Sequence, residues 1–330
     1  MRRVVVNENR ELMDEETSRP SPQAHDVLVK IEAISINPID IKRIHRITAT
    51  DPRVLGYDAL GEVVATGSRA NQYQIGDVIF YAGTTSRDGC YADYQLVDER
   101  LTALAPTRIP VAQAAAMPLT WLTAYEILVD KLGVQPTRGA HKNDTLLVIN
   151  GAGGAGSVLT QLARWMGLTV IATASPNNFD WLREHGTAVC IDYHGDIQAQ
   201  LKQAGYPTVD AVVNLFDTAR YFDIARAIVR PFGHLVNVAL TPEPIDIMSL
   251  QAKSLSFDWE LMFTKSNLGY EMATQGAALA LLSRLLDNGD ITSTLTKRIV
   301  APINARTITQ AHDCLSANSV VGKIVIESPK

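Results

Sequence analysis

Cysteine is scarce, with three in 330 residues: Cys90, Cys190 and Cys314. They lie far apart and form no Cys-x-x-Cys pair. That excludes a disulfide framework and a clustered zinc site, and leaves each as a small buried apolar residue. A reducing cytoplasm is the expected compartment. Basic blocks are missing too, and with a formal net charge of −5 a dedicated nucleic-acid surface is excluded. No apolar run approaches the length needed to cross a bilayer. The opening Met1–Val6 has a brief apolar run, but Asn7, Glu8 and Asn9 interrupt it at once, so it reads as a first strand and not as a signal peptide. What is present is an ordinary globular composition, 46% apolar and 20% charged, in a chain long enough for two domains.

From the start to about Asp98 the chain is rich in short β-branched runs. Val27 to Ile36 alternates as a half-buried strand should, and Gly61 to Gly67, Gly76 to Tyr81 and Gly89 to Val97 are further runs bounded or opened by glycine. Strands at such short intervals predict a β-rich, barrel-like domain. Helical periodicity begins near Val111. The middle then alternates apolar strands (Thr145 to Asn150, Leu168 to Ala174, Val209 to Asn214, His234 to Ala239) with amphipathic stretches (Val158 to Met166, Phe179 to His185, Phe222 to Val229). That alternation predicts a parallel sheet covered on both faces. A helix over Met272 to Leu286, a strand over Leu295 to Val300, a helix over Thr307 to Leu315 and a strand over Gly322 to Glu327 finish the chain. This tail is too short to be a domain and is expected to pack back onto the N-terminal region, which makes the parallel-sheet domain an insertion.

Gly151-Ala152-Gly153-Gly154-Ala155-Gly156 follows one predicted strand and opens a predicted helix, with a second strand behind it. In that setting glycines permit a tight turn and let backbone amides approach a pyrophosphate at the helix N-terminus. Enzymes that use NAD place Asp or Glu about twenty residues beyond the first glycine, to bond the ribose 2′-hydroxyl. This chain offers Ala174, Ser175, Pro176, Asn177 and Asn178 instead. No carboxylate there repels a 2′-phosphate, and Ser175 and Asn177 can donate to one. The usual cation is missing from those positions, with Arg183 as a substitute or as a plain helix-surface arginine. NADPH is the expected cofactor.

These features together resemble the medium-chain dehydrogenase/reductase superfamily, and within it the quinone oxidoreductase and zinc-lacking alcohol-dehydrogenase-like group. The resemblance rests on Ile36-Asn37-Pro38-Ile39-Asp40, Leu55-Gly56-Tyr57-Asp58, Gly76-Asp77-Val78, Met117-Pro118-Leu119-Thr120, Thr123-Ala124-Tyr125, the glycine loop and Gly322-Lys323-Ile324-Val325, in that order and spacing. It implies a doubly wound Rossmann domain, over 119–265, inserted in a GroES-like β-rich catalytic domain made of 1–118 and 266–330. Zinc-dependent members have a cysteine where this chain has Asn37, and Gly-His-Glu where it has Gly56-Tyr57-Asp58. The structural zinc lobe would fall near Arg87 to Asp98, where only Cys90 is present. His45 and Asp40 are too scattered to replace a ligand set. No metal is expected.

Without a Lewis acid, quinones and α,β-unsaturated carbonyls are the better hydride acceptors, because their conjugated oxygen spreads the incoming charge. The resemblance implies that Asn37 lies beside the nicotinamide, as a donor to substrate oxygen or as a strand-end cap. Lys42 would be a desolvated acid or a solvated surface lysine, and Tyr57 an orienting hydroxyl or a core tyrosine. It likewise implies cofactor contacts for Thr123, Tyr193, Phe216, Val238 and Lys323, each with plain packing as the other reading. The expected activity is an NADPH-dependent quinone or enone reductase. An aldehyde or alkenal reductase and a non-catalytic NADPH-binding protein are the alternatives. A homodimer is expected by analogy, through the edge segment Ser254 to Met262. Pocket side chains would come from loops such as Arg43 to Val54, which carry no readable pattern.

Overall fold

The structure is a computed structural model that describes residues 1–47, 53–317 and 320–329. Thr48 to Pro52, inside the expected pocket loop, lie outside the described residues. The chain divides into two compact units, one made of Met1–Leu122 with Met262–Lys330 and the other of Thr123–Leu261.

In the second unit six strands form one parallel sheet in the order Val189–Asp192, Thr169–Ala174, Thr145–Ile149, Val209–Asn214, Val229–Asn237, Ser256–Trp259. This is the doubly wound order with its reversal beside the first strand, where such sheets leave a crevice for ligands. The strands are continuous apolar runs because both faces are covered. Leu146 to Ile149 and Val170 to Ala172 are all buried. The helix Gly154–Met166 presents Val158, Leu159, Leu162, Ala163 and Met166 as its buried face. It stops at Gly167, whose left-handed φ of 103° lets its N–H cap the carbonyls of Ala163 and Arg164. The helix Ile197–Gln203 carried too weak a pattern to be read from sequence.

The first unit is built on a seven-stranded sheet around the long strand Asp26–Ile36. On one side Asp26–Ile36 pairs antiparallel with Ala59–Thr66, and on the other with Lys323–Glu327, beside which Leu295–Val300 runs parallel. The C-terminal tail thus returns to the N-terminal sheet. Trp121 anchors this unit: it is fully buried, and its indole N–H donates to the Ala278 carbonyl at 2.8 Å on the helix Met272–Asn288.

Candidate active site

The pairing of three strands brings distant residues to one end of the sheet. Ile36 stands opposite Ile324, and Ile34 opposite Ala59. The flanking residues Asn37, Lys323 and Asp58 therefore converge, although the chain separates them widely. Asn37 also starts the helix Pro38–Ile44 through a capping box with Asp40, and Pro38 holds the first helical position, where a missing N–H does no harm.

The Lys323 ammonium is buried and donates to the Ile36 carbonyl at 3.0 Å, to Asp58 Oδ2 at 3.2 Å and to Asn37 Oδ1. Three acceptors match the three hydrogens of the charged form. Asn37 Nδ2 in turn donates to Asp58 Oδ2 at 3.0 Å and to the Ser35 carbonyl at 3.3 Å. Asp58 Oδ1 accepts from the Leu119 N–H at 2.8 Å. Burial pushes the Asp58 carboxyl upward, while the Lys323 charge and the bonds from Asn37 and Leu119 pull it back.

A second buried chain adjoins the first. Asp40 Oδ2 accepts from the Asn37 N–H at 2.7 Å and from the Tyr91 hydroxyl at 3.1 Å, and that hydroxyl lies 2.9 Å from His312 Nε2. Asp40 Oδ1 has no partner. Burial raises Asp40 to about 7 and lowers His312 to about 4, so near neutral pH the imidazole is uncharged. Tyr57 is buried, packs edge-on against Phe263 with centroids 5.3 Å apart, and meets the Arg43 guanidinium. Burial drives its phenol up to about 12, so it remains a neutral donor.

The raised Asp40 makes a prediction with a definite sign. The unfolded carboxyl ionises near 3.8 and the folded one near 7, so the folded state holds the extra proton between those values. Stability from this group is greatest below about pH 4 and falls as pH rises to about 7. Asp40→Asn keeps an acceptor for Asn37 and Tyr91 but cannot ionise. Denaturant midpoints across pH should show it gaining on the wild type through that window and holding its lead above it. A constant difference would show that Asp40 does not titrate there.

In the other unit, Asn150 follows the strand Thr145–Ile149 with a left-handed φ of 68°, which asparagine tolerates, and turns the chain into the glycine loop. A Cβ on Gly156 would lie 2.3 Å from the Asn150 carbonyl oxygen, and one on Gly151 would lie 2.6 Å from the Ala172 Cβ. The first-turn N–H groups at Gly154, Ala155 and Gly156 have no intrahelical acceptor. Past the second strand, the Ser175 and Tyr193 hydroxyls lie 3.0 Å apart, with the Tyr193 ring against His194.

The expected residues thus fall into two groups. Asn37, Tyr57 and Lys323 belong to one unit, joined by Asp58, whose part sequence reasoning missed. Lys42 stands exposed on the same helix as Asp40 and is not desolvated. Gly151 to Gly156, Ser175 and Tyr193 belong to the other unit, with Asn177 exposed beside them. Phe216 is half exposed just after the strand Val209–Asn214, the Val238 N–H donates to the Asn214 carbonyl, and Thr123 is buried in the helix Pro118–Glu126. Lys323, expected at the cofactor, spends its ammonium on Asn37, Asp58 and Ile36 in the first unit.

Residues 23–107 match the alcohol dehydrogenase GroES-like domain and residues 185–326 the zinc-binding dehydrogenase domain. The chain is similar to a zinc-type alcohol dehydrogenase-like protein of Staphylococcus epidermidis, 36% identical over 93% of this chain and 92% of that one. It is 30% identical to an NADPH-dependent alkenal/one oxidoreductase of Arabidopsis thaliana, over 93% of this chain and 73% of the relative. A structure from Rhizobium etli CFN 42, assigned as a zinc-dependent alcohol dehydrogenase, superposes with a TM-score of 0.93 at 37% identity, covering 100% of this chain and 98% of that one.

Two groups implied by these likenesses can be tested against the residues present. The glycine loop fits a nicotinamide dinucleotide: its cradle is one that a Cβ would fill, and it opens a 13-residue helix. Zinc does not fit. A catalytic zinc takes Cys, His or carboxylate ligands, and here an amide oxygen, a backbone carbonyl and one carboxylate surround an ammonium. Among the described residues no three of His, Cys, Asp and Glu are grouped to hold a metal ion. The nearby Cys90 thiol, pushed well up by burial, donates to the Asp58 carbonyl at 3.4 Å.

Proposed function

We propose that this chain, which belongs to the medium-chain dehydrogenase/reductase superfamily, is a metal-independent oxidoreductase that reduces quinones or α,β-unsaturated carbonyls with NADPH. Membership makes it a nicotinamide-dependent oxidoreductase; the choice of acceptor and of NADPH is the reading proposed here. The observation that carries it is the Lys323–Asn37–Asp58 cluster, in which two residues that the resemblance sets at zinc-ligand positions are bonded to a buried ammonium.

The dinucleotide, held by the Gly151–Gly156 loop, supplies a hydride when bound. An unactivated ketone taking that hydride needs strong polarisation of its oxygen, which a metal gives and a neutral phenol or amide does not. A quinone or enone takes it at an electron-poor carbon, and the charge appears on a conjugated oxygen that a few donors can stabilise. Addition of one proton then gives the saturated carbonyl or, from a quinone, the hydroquinone. Tyr57 is the side chain suited to that oxygen, being a neutral hydroxyl donor beside Arg43. For the cofactor, Ser175 and Tyr193 present hydroxyls and no carboxylate, which suits a 2′-phosphate. The alkenal/one reductase relative supports both parts of the reading.

The test is oxidation of NADPH and of NADH by purified, chelator-treated protein with matched panels of quinones, enones and simple ketones. Turnover that survives chelation, prefers NADPH and favours the conjugated acceptors is the expected result. Loss of activity on chelation, or a preference for simple ketones, would sink the proposal. Tight NADPH binding with no turnover would leave a binding protein. A homodimer joined through the sheet edge at Ser256–Trp259 is a further part of the proposal, checked by light scattering.

A further inference from the structure

Lys323 is only 4% exposed, and its ammonium faces a cage made entirely of oxygen: the Asp58 carboxylate, the Asn37 amide oxygen and the Ile36 carbonyl. Such a donor set suits a hard cation and lacks the Cys and His ligands that usually hold zinc. The cage is preformed by strand pairing, and each of its members is fixed by other bonds. Asp58 is held by Leu119, and the Asn37 amide by Ser35 and Asp58. The other titratable groups beside it are Asp40, raised and uncharged over part of the neutral range, and the Cys90 thiol, pushed well up by burial.

We propose that Lys323 is a built-in cation: its ammonium fills the oxygen-lined position beside Asn37 and Asp58, so the chain carries covalently the positive charge that a metal would bring. Two consequences follow from the geometry. A divalent metal cannot enter without expelling the ammonium, which is tethered in place and already pairs the buried Asp58 carboxylate. Conversely, shortening Lys323 leaves an empty cage that accepts a small N–H-bearing cation. Lys323 acts here as a positioning residue, because its donation to Asn37 Oδ1 commits the amide nitrogen to Asp58 and Ser35.

This rests on the metal-free part of the function proposed above, but its readouts are stability and binding, so either can fail alone. The full-length Lys323→Ala variant is melted in ethylammonium chloride, and in sodium chloride and tetramethylammonium chloride at equal ionic strength. Wild-type protein is titrated with zinc by calorimetry. Ethylammonium should raise the variant's Tm, or its folded yield if it does not fold unaided, by several degrees over both controls. Wild type should respond alike to all three salts and take up no stoichiometric zinc. Equal effects of ethylammonium and tetramethylammonium on the variant would overturn the proposal, since only the former can donate hydrogen bonds to the cage. Uptake of one equivalent of zinc by wild type with a rise in Tm would overturn it too, and that arm needs no variant to fold.

Discussion

Gly156→Ala should weaken dinucleotide binding about 100-fold, a cost of about 3 kcal/mol, while leaving the six-stranded sheet in place. The added methyl would lie 2.3 Å from the Asn150 carbonyl oxygen and 2.6 Å from that of Gly151, and both are backbone atoms that cannot rotate aside. The helix Gly154–Met166 must then draw away from the turn, carrying with it the first-turn N–H groups at Gly154 and Ala155. Those groups are the ones that would face a pyrophosphate, and hydrogen bonds to an anion lose strength steeply with distance and angle. The hydrophobic face of the helix, from Val158 to Met166, lies farther along and stays packed. Titration of NADPH followed by its fluorescence, with far-UV circular dichroism as the folding control, separates lost binding from lost structure. A folded variant that binds NADPH within twofold of wild type would mean that the pyrophosphate lies elsewhere.

The parts of this molecule that sequence revealed are those written in local periodicity. The parallel strands are unbroken apolar runs, the helix after the glycine loop has a buried face at helical spacing, and glycine with asparagine marks the turn between them. The return of the tail to the N-terminal sheet could be anticipated because Gly322 to Glu327 reads as a strand with no domain of its own. The polar cluster was less legible, for a physical reason. Asn37 and Tyr57 drew notice as residues in place of expected metal ligands, but what they do depends on register. Only the pairing of Ile36 with Ile324 and of Ile34 with Ala59 sets Lys323 between Asn37 and Asp58. A lysine beginning a strand has no local mark distinguishing a buried ammonium from a solvated one. The Asp40–Tyr91–His312 chain is hidden likewise, since its members come from three separate segments. Lys42 shows the converse: its place in the sequence invited a role for a desolvated lysine, and on the helix Pro38–Ile44 it stands exposed.

Glu260→Gln should stabilise the dinucleotide unit at alkaline pH and change little at pH 5. Glu260 is buried just after the edge strand Ser256–Trp259, its N–H bound to the Asn237 carbonyl, and its carboxyl hydrogen-bonds that of Glu126 at the end of the helix Pro118–Glu126. Two buried carboxyls in contact cannot both ionise without strong repulsion, so the pair holds one proton well above the usual carboxylate range. Burial is the larger cause of this shift, the charge on Glu126 the next, and Lys131 opposes them. In the unfolded chain that proton leaves near 4.5. Through the interval above that value the folded state holds one more proton than the unfolded, and stability falls as pH rises. Glutamine keeps the hydrogen bond to Glu126 without a proton to lose, so its advantage should grow with pH and reach about 2 kcal/mol or more by pH 9, each unit of displaced titration being worth 1.4 kcal/mol. Comparing variant and wild type at each pH cancels the separate titration of Asp40. Urea midpoints at pH 5, 7 and 9 would decide the matter. A variant that tracks the wild type throughout would mean that the two glutamates titrate independently, and a variant that is weaker at pH 9 would mean that the pair is held by a cation and not by a shared proton.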